Sequence, residues 1–201
     1  MVWKKCVSLG ESPGPRWGHS LCDVDGFGIL LFGGFSLDVH TNDLFLLDPG
    51  TLHWKRIVVQ NNVESEAPCP RDSHSACLYK RRMYIFGGTD GERRLADLWM
   101  FDIDSCVWSE LATKGKGPWA REGHTAVMFG SRMFVFGGCG DKGVDGVDGS
   151  ETGYYNDTYI LDLESLRWSR PRFKGSPPAP RDSHSAVAVG PQMIVFGGDS
   201  G

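Results

Sequence analysis

An arginine, a histidine three residues later and a glycine pair beyond an apolar run recur four times in this chain. The copies are Arg16, His19 and Gly33-Gly34; Arg71, His74 and Gly87-Gly88; Arg121, His124 and Gly137-Gly138; Arg181, His184 and Gly197-Gly198. From arginine to first glycine the offsets are 17, 16, 16 and 16. A chain that repeats itself about every 50 residues folds as an array of like supersecondary units. Each unit buries one sheet face on its neighbour.

The register extends past the glycines. From the second glycine to Asp43, Asp97 and Asp157 the offsets are 9, 9 and 19, and from each of those aspartates to Trp54, Trp108 and Trp168 they are 11, 11 and 11. From tryptophan to the next arginine they are 17, 13 and 13; Trp3 also precedes Arg16 by 13. Trp3 therefore reads as the tail of another unit. The extra residues fall before Arg71 and before Asp157.

Each unit holds four strand-length runs. The first follows the arginine (HSLCDV, HSACLY, HTAVMF, HSAVAV) and the second enters the glycines (GILLF, RMYIF, RMFVF, QMIVF). The third is DLFLLD, DLWMFD or DTYILD, and the fourth carries the tryptophan. These are β-branched and aromatic runs of strand length, with no helix-length pattern. DVDGFG, YKRR and VGPQ read as turns between the first two strands, and DPGT, DIDS and DLES as turns between the last two. The expected fold is all-β: a β-propeller, incomplete, of three full four-stranded blades and parts of others. The blades are expected at about 16–58, 71–112, 121–172 and 181–201 (partial), with residues 1–7 a strand completing another blade.

Bulk properties exclude several classes. The formal charge is −4 and evenly mixed, so there is no basic footprint for nucleic acid. No run approaches the length of a membrane-spanning helix, and MVWKKCVSLG lacks a secretory apolar core. Cys6, Cys22, Cys69, Cys77, Cys106 and Cys139 form no metal-ligand spacing. Most of them sit in or beside strand patterns, which suits reduced, packed thiols in a cytoplasmic or nuclear protein.

These units resemble kelch repeats. The resemblance rests on the glycine pair after an apolar strand followed by a spaced aromatic and a tryptophan: Gly33-Gly34, Phe45, Trp54; Gly87-Gly88, Trp99, Trp108; Gly137-Gly138, Tyr159, Trp168. The prefixes P-R-W-G-H, P-R-D-S-H and A-R-E-G-H look like those of the Rab9-effector-like and plant and fungal cell-polarity kelch proteins. Kelch propellers close with more blades than this chain supplies, so the resemblance implies a partial domain. It also implies a protein-interaction scaffold with no cofactor. Iron-dependent specifier proteins of plants share the prefix, but their carboxylate–histidine triplet has no match here. The alternative is therefore part of a propeller enzyme whose catalytic residues lie in the missing half.

The repeated polar residues read as scaffold. Arg16, Arg71, Arg121 and Arg181 must be paired if buried. Asp43, Asp97 and Asp157 are their expected partners, with Asp72, Glu122 and Asp182 as alternatives. His19, His74, His124 and His184 are expected to pin their own blades, and Trp54, Trp108 and Trp168 on the fourth strands to be structural. Residues spread one per blade do not assemble a metal site or catalytic centre, and no nucleophile elbow, H-E-x-x-H or phosphate-cradling loop occurs. No catalytic residue and no metal are expected.

Binding is expected in the irregular loops, which join second to third and fourth to first strands at one end of the blades. The candidates are Phe35 and His40; Asp90, Glu92, Arg93 and Arg94; and, in the long stretch 139–155, Asp141, Lys142, Asp145, Asp148, Glu151, Tyr154 and Tyr155. The D-x-x-x-D-x-x-D spacing in that stretch is not an EF-hand. The expected partner is a protein or peptide, with neither nucleic acid nor membrane.

Overall fold

The computed structural model describes residues 2–61, 66–141 and 152–200. The first sheet contains β1 (Leu9–Gly10), β2 (Ser20–Val24), β3 (Gly28–Ser36), β4 (Val39–Asp48) and β5 (His53–Arg56). The second contains β6 (Ser75–Tyr79), β7 (Arg82–Phe86), β8 (Leu98–Asp102) and β9 (Val107–Glu110). The third contains β10 (Thr125–Phe129) and β11 (Arg132–Phe136), with β14 (Thr158–Asp162) and β15 (Arg167–Ser169). Between them, β12 (Cys139–Asp141) and β13 (Thr152–Tyr154) form a separate hairpin, and β16 (Ser185–Val189) pairs with β17 (Gln192–Phe196). There is no helix among the described residues. The fold is all-β, a partial propeller of stacked antiparallel blades.

Strand alternation explains the stacking. On β7, Met83 and Ile85 face the first blade, while Tyr84 and Phe86 face the third. Two apolar cores result, each between two blades. The first joins Leu30, Phe32 and Leu44 to Met83, Phe101 and Trp108. The second joins Phe86 and Leu98 to Met133, Leu161 and Trp168. A second strand buried on both faces must be apolar throughout.

The first three glycine pairs sit where the next blade comes closest. Gly87 has φ +63°, and a Cβ there would lie 2.8 Å from the Arg121 carbonyl oxygen of the following blade. Gly88 donates to that same carbonyl at 2.9 Å. Gly197 has a similar φ of +73° but open space around it. Both positions carry the left-handed backbone penalty of about 1 kcal/mol for alanine, and only Gly87 adds a clash. Gly87→Ala is expected to destabilise by at least about 2 kcal/mol more than Gly197→Ala in urea unfolding. Equal losses would show that the close approach has no energetic weight.

The link entering a blade also covers that blade's outer edge. Leu9 and Gly10 run parallel to His53 and Trp54, with Leu9 N donating to Leu52 O at 2.9 Å and Glu11 N to Trp54 O at 3.1 Å. Lys114 does the same along β15: its N donates to Leu166 O at 2.7 Å, and Trp168 N donates to Lys114 O at 2.8 Å. In the second blade Gln60 N donates to Cys106 O, and then a side chain takes over. Asn61 Oδ1 accepts from Trp108 N at 2.7 Å, and Asn61 Nδ2 donates to Trp108 O at 3.0 Å. One carboxamide thus reproduces both backbone bonds of the strap. Residues 2–7 lie outside any strand, and Trp3 is fully exposed.

Candidate binding face

The repeated arginines and aspartates meet within each complete blade. Arg16 contacts Asp43 at 2.6 Å, Arg71 contacts Asp97 at 2.7 Å, and Arg121 contacts Asp157 at 2.8 Å. The Arg71 and Arg121 side chains are wholly buried. Each also donates to its own blade's glycine carbonyl, Gly87 O at 3.1 Å and Gly137 O at 2.8 Å. Trp99 Nε1 donates to Asp97 at 2.8 Å. Burial alone would raise the Asp97 pKa, but the hydrogen bonds and charge of Arg71 outweigh it and hold the carboxyl below its usual range.

The histidines behave differently from the sequence expectation of a bond within their own blades. His74 Nε2 meets Ser20 Oγ, His124 meets Ser75 Oγ, and His184 meets Thr125 Oγ1, each at 2.8 Å. Each ring therefore ties its blade to the preceding one. Their reach follows from stacking: the first strands of adjacent blades lie side by side, so a long ring meets the neighbour's small hydroxyl. Burial, then the nearby Arg71 charge, lowers the His74 pKa to about 3. Burial and Arg121 lower His124 well below its ordinary value.

Above this scaffold the loops carry a second row of contacts between blades. The residue after each arginine bridges to the residue after each glycine pair: Trp17 to Phe35, Asp72 to Thr89, Glu122 to Cys139, Asp182 to Asp199. A loop side chain from the preceding blade then reaches the acid. His40 Nε2 lies 2.8 Å from Asp72 Oδ2. Arg94 spans two acids, with Nε 2.8 Å from Glu122 and Nη1 2.8 Å from Asp141. The Tyr154 hydroxyl donates to Asp199 at 3.5 Å. The loop residues are thus fixed relative to the blades beneath them.

Other candidates occupy distinct settings. The Asp90 carboxylate caps its own turn by accepting from Glu92 N at 3.0 Å and Arg93 N at 2.9 Å. Arg93 and Glu92 project from that turn and are exposed. Phe35 packs against His40, ring centroids 4.9 Å apart, and against Trp17 at 5.2 Å. Trp17 is 59% exposed, an apolar ring on the surface that the sequence reading did not count as a contact. The signal was available, because Trp17 stands where other units carry an acid. Tyr155 is half-buried, with the Arg121 guanidinium 4.4 Å from its ring, and acts mainly as a wall for that cation. Lys142, Asp145, Asp148 and Glu151 lie outside the described residues. No group of three potential metal ligands occurs among the described residues.

A family model for the KLHDC2/KLHL20/DRC7 kelch-repeats domain matches residues 1–138 and again 60–201. The chain belongs to the kelch-repeat family. Kelch relatives include Tip elongation aberrant protein 1 of Schizosaccharomyces pombe, 38% identical over the whole chain and 17% of the relative. Human Host cell factor 1 is 33% identical over 87% of the chain and 9% of its own length. Mouse Kelch domain-containing protein 1 is 28% identical over 98% of the chain and 39% of its own. The chain spans well under half the length of these relatives. Kelch-repeat membership supports a protein-interaction role in general, and no helix among the described residues is long and apolar enough to cross a membrane.

Proposed function

We propose that this kelch chain is a non-enzymatic scaffold that binds a protein or peptide through the loops between second and third and between fourth and first strands. The observation carrying this reading is the division of labour among its polar groups. The arginine–aspartate pairs and histidines are spent on blades and their junctions, while Trp17, Phe35, Glu92, Arg93 and Tyr154 stand on braced loops at one end. Rigid loops over a regular ring favour recognition because little ordering entropy is lost on binding. Exposed aromatics beside charged groups are typical anchors of such surfaces. The blade assignment, including residues 1–7 as a strand of another blade, and a cytoplasmic or nuclear setting belong to the same reading. All six cysteines are free thiols, which suits a reducing compartment.

The test compares the intact chain with two variants in quantitative pull-down. One replaces residues 142–151 by a short Gly-Ser turn and keeps the β12–β13 hairpin. The other is Trp17→Ala with Phe35→Ala. A partner retained by the intact chain is expected to bind at least about tenfold more weakly to one or both. A control at Lys55→Ala, on the side of β5, is expected to change nothing. Partners held equally by all four proteins would overturn the assignment to these loops.

A further inference from the structure

The connections entering the first and third blades run the same course, so they can be compared position by position. Leu9 N donates to Leu52 O and Lys114 N to Leu166 O. Leu9 pairs with His53 and Lys114 with Arg167, both in parallel register. Counted from there, Lys116 stands where the first blade has Glu11, and Trp119 where it has Gly14. The third blade thus carries lysine, lysine, tryptophan and arginine where the first carries leucine, glutamate, glycine and histidine. Lys114, Lys116 and Arg167 give +3, against −1 from Glu11 with His53 neutral. The strap itself does not demand these side chains, because its backbone contacts with the fourth strand match in the two blades.

The four side chains face water. Lys114, Lys116 and Arg167 are exposed, and so is the Trp119 ring, at 45%. Lys116 Nζ lies 5.7 Å from the centre of that ring, within the range where a cation is drawn to an aromatic face. Arg170 continues the row just past β15, exposed and 5.7 Å from the Tyr159 ring. None of these four cations meets a carboxylate among the described residues. The acids nearby are engaged elsewhere. Asp162, opposite Arg167 in the ladder, accepts from Ser165 N at 2.8 Å and lies 3.9 Å from Arg132. Glu164 accepts from the Tyr79 hydroxyl at 3.1 Å and lies 3.8 Å from Lys80. The strap is also closely seated: a Cβ on Gly115 would lie 2.6 Å from the Trp168 carbonyl oxygen, and one on Gly117 2.9 Å from the Trp168 ring.

We propose that the strap of the third blade docks an acidic segment of a protein partner, with carboxylates on Lys114, Lys116, Arg167 and Arg170 and an apolar side chain against Trp119. The proposal rests on the reading of the chain as a protein-binding scaffold and deepens it at one fourth-to-first connection. Charge complementarity selects the carboxylates, because four cations without counter-charge steer and orient an anionic partner. The indole selects the apolar side chain, since an exposed tryptophan on a firmly seated segment is the usual kind of interface anchor. The small extent of the patch selects a short segment over a membrane or a nucleic acid. Glu11 holds the Lys116 position in the first blade, exposed Glu66 lies on the link into the second, and the whole chain carries −4. A broad polyanion would meet those carboxylates elsewhere along the rim.

The test titrates the intact chain into a fluorescein-labelled peptide of four glutamates and two phenylalanines with glycine spacers, followed by anisotropy. Binding is expected, and it should weaken as salt rises from about 0.05 to 0.3 M. Lys114→Glu with Lys116→Glu should weaken it at least about tenfold. Trp119→Ala should weaken it about fivefold. These side chains are exposed, so the fold is expected to persist, and circular dichroism checks that it does. Lys55→Glu with Arg56→Glu makes the same change of charge on β5 and should shift affinity less than about twofold. Vesicles of phosphatidylcholine with about one-third phosphatidylserine should not retain the chain. No peptide binding would overturn the proposal, as would equal losses in the two charge-reversed variants. Retention on vesicles that the Lys114 and Lys116 changes abolish would assign the patch to a lipid surface and overturn it as well. None of these variants alters Trp17, Phe35 or residues 142–151. A failure here therefore leaves the loop reading standing, and inert loop variants beside a binding strap would overturn the loop reading alone.

Discussion

Asp157→Ala is expected to destabilise the chain by about 3–5 kcal/mol, lowering the thermal midpoint by roughly 10 °C. The reason is what it leaves behind. Arg121 is wholly buried beneath Tyr155, and Asp157 is its only carboxylate partner among the described residues. Removing the acid strands a guanidinium without solvent or counter-charge. The internal comparison is Arg181→Ala, which removes an arginine with no carboxylate partner among the described residues and is expected to cost less than about 1 kcal/mol. Asp157→Asn, which keeps an acceptor but not the charge, should fall between them. Chemical denaturation of the three variants checks the order. Similar losses for Asp157→Ala and Arg181→Ala would mean the ion pair adds nothing to its blade.

Lowering the pH from 7.5 to 5.5 should cost about 3 kcal/mol, most of it through His74 and His124. Burial comes first as the cause, with Arg71 and Arg121 reinforcing it, and both rings stay neutral when folded. The unfolded chain binds a proton on each imidazole near pH 6.5. The native chain refuses it until far lower, about 3 for His74. Stability present above pH 6.5 is therefore lost as pH falls toward that value, at up to about 1.4 kcal/mol per unit for each ring. At pH 5.5 each contributes a loss of about 1.4 kcal/mol. Asp97 does not enter this window, because its carboxyl is held below its usual range. His74→Gln, which can still reach Ser20, should remove roughly half the pH dependence. A slope unchanged in that variant would show that the ring already titrates normally in the fold.

The repeat made most of the architecture legible. The constant step from aspartate to tryptophan placed third and fourth strands, and period-two alternation placed their faces. The arginine–aspartate pairs were legible for the same reason, since both members lie in one unit at a fixed separation. What crossed between units was harder to read. The histidine partners Ser20, Ser75 and Thr125 are ordinary strand residues, and only the stacking of blades brings them within reach. Arg94 meeting Glu122 and Asp141 depends on the same stacking. Asn61 was invisible for another reason: a carboxamide imitating a peptide group leaves no trace in a hydropathy or spacing pattern. Trp17 stands where the other units carry an acid, but its surface role follows only from the bridge to Phe35.

The strap along each outer strand bears on how such arrays avoid polymerising. A naked sheet margin offers its amide groups to any passing chain and is the usual starting point for fibrils. Here the margin of each complete blade is sealed by the segment that leads into it, through backbone at Leu9 and Lys114 and through Asn61 between them. Protection therefore comes built into the connection itself, so that adding a unit to the row also adds its guard.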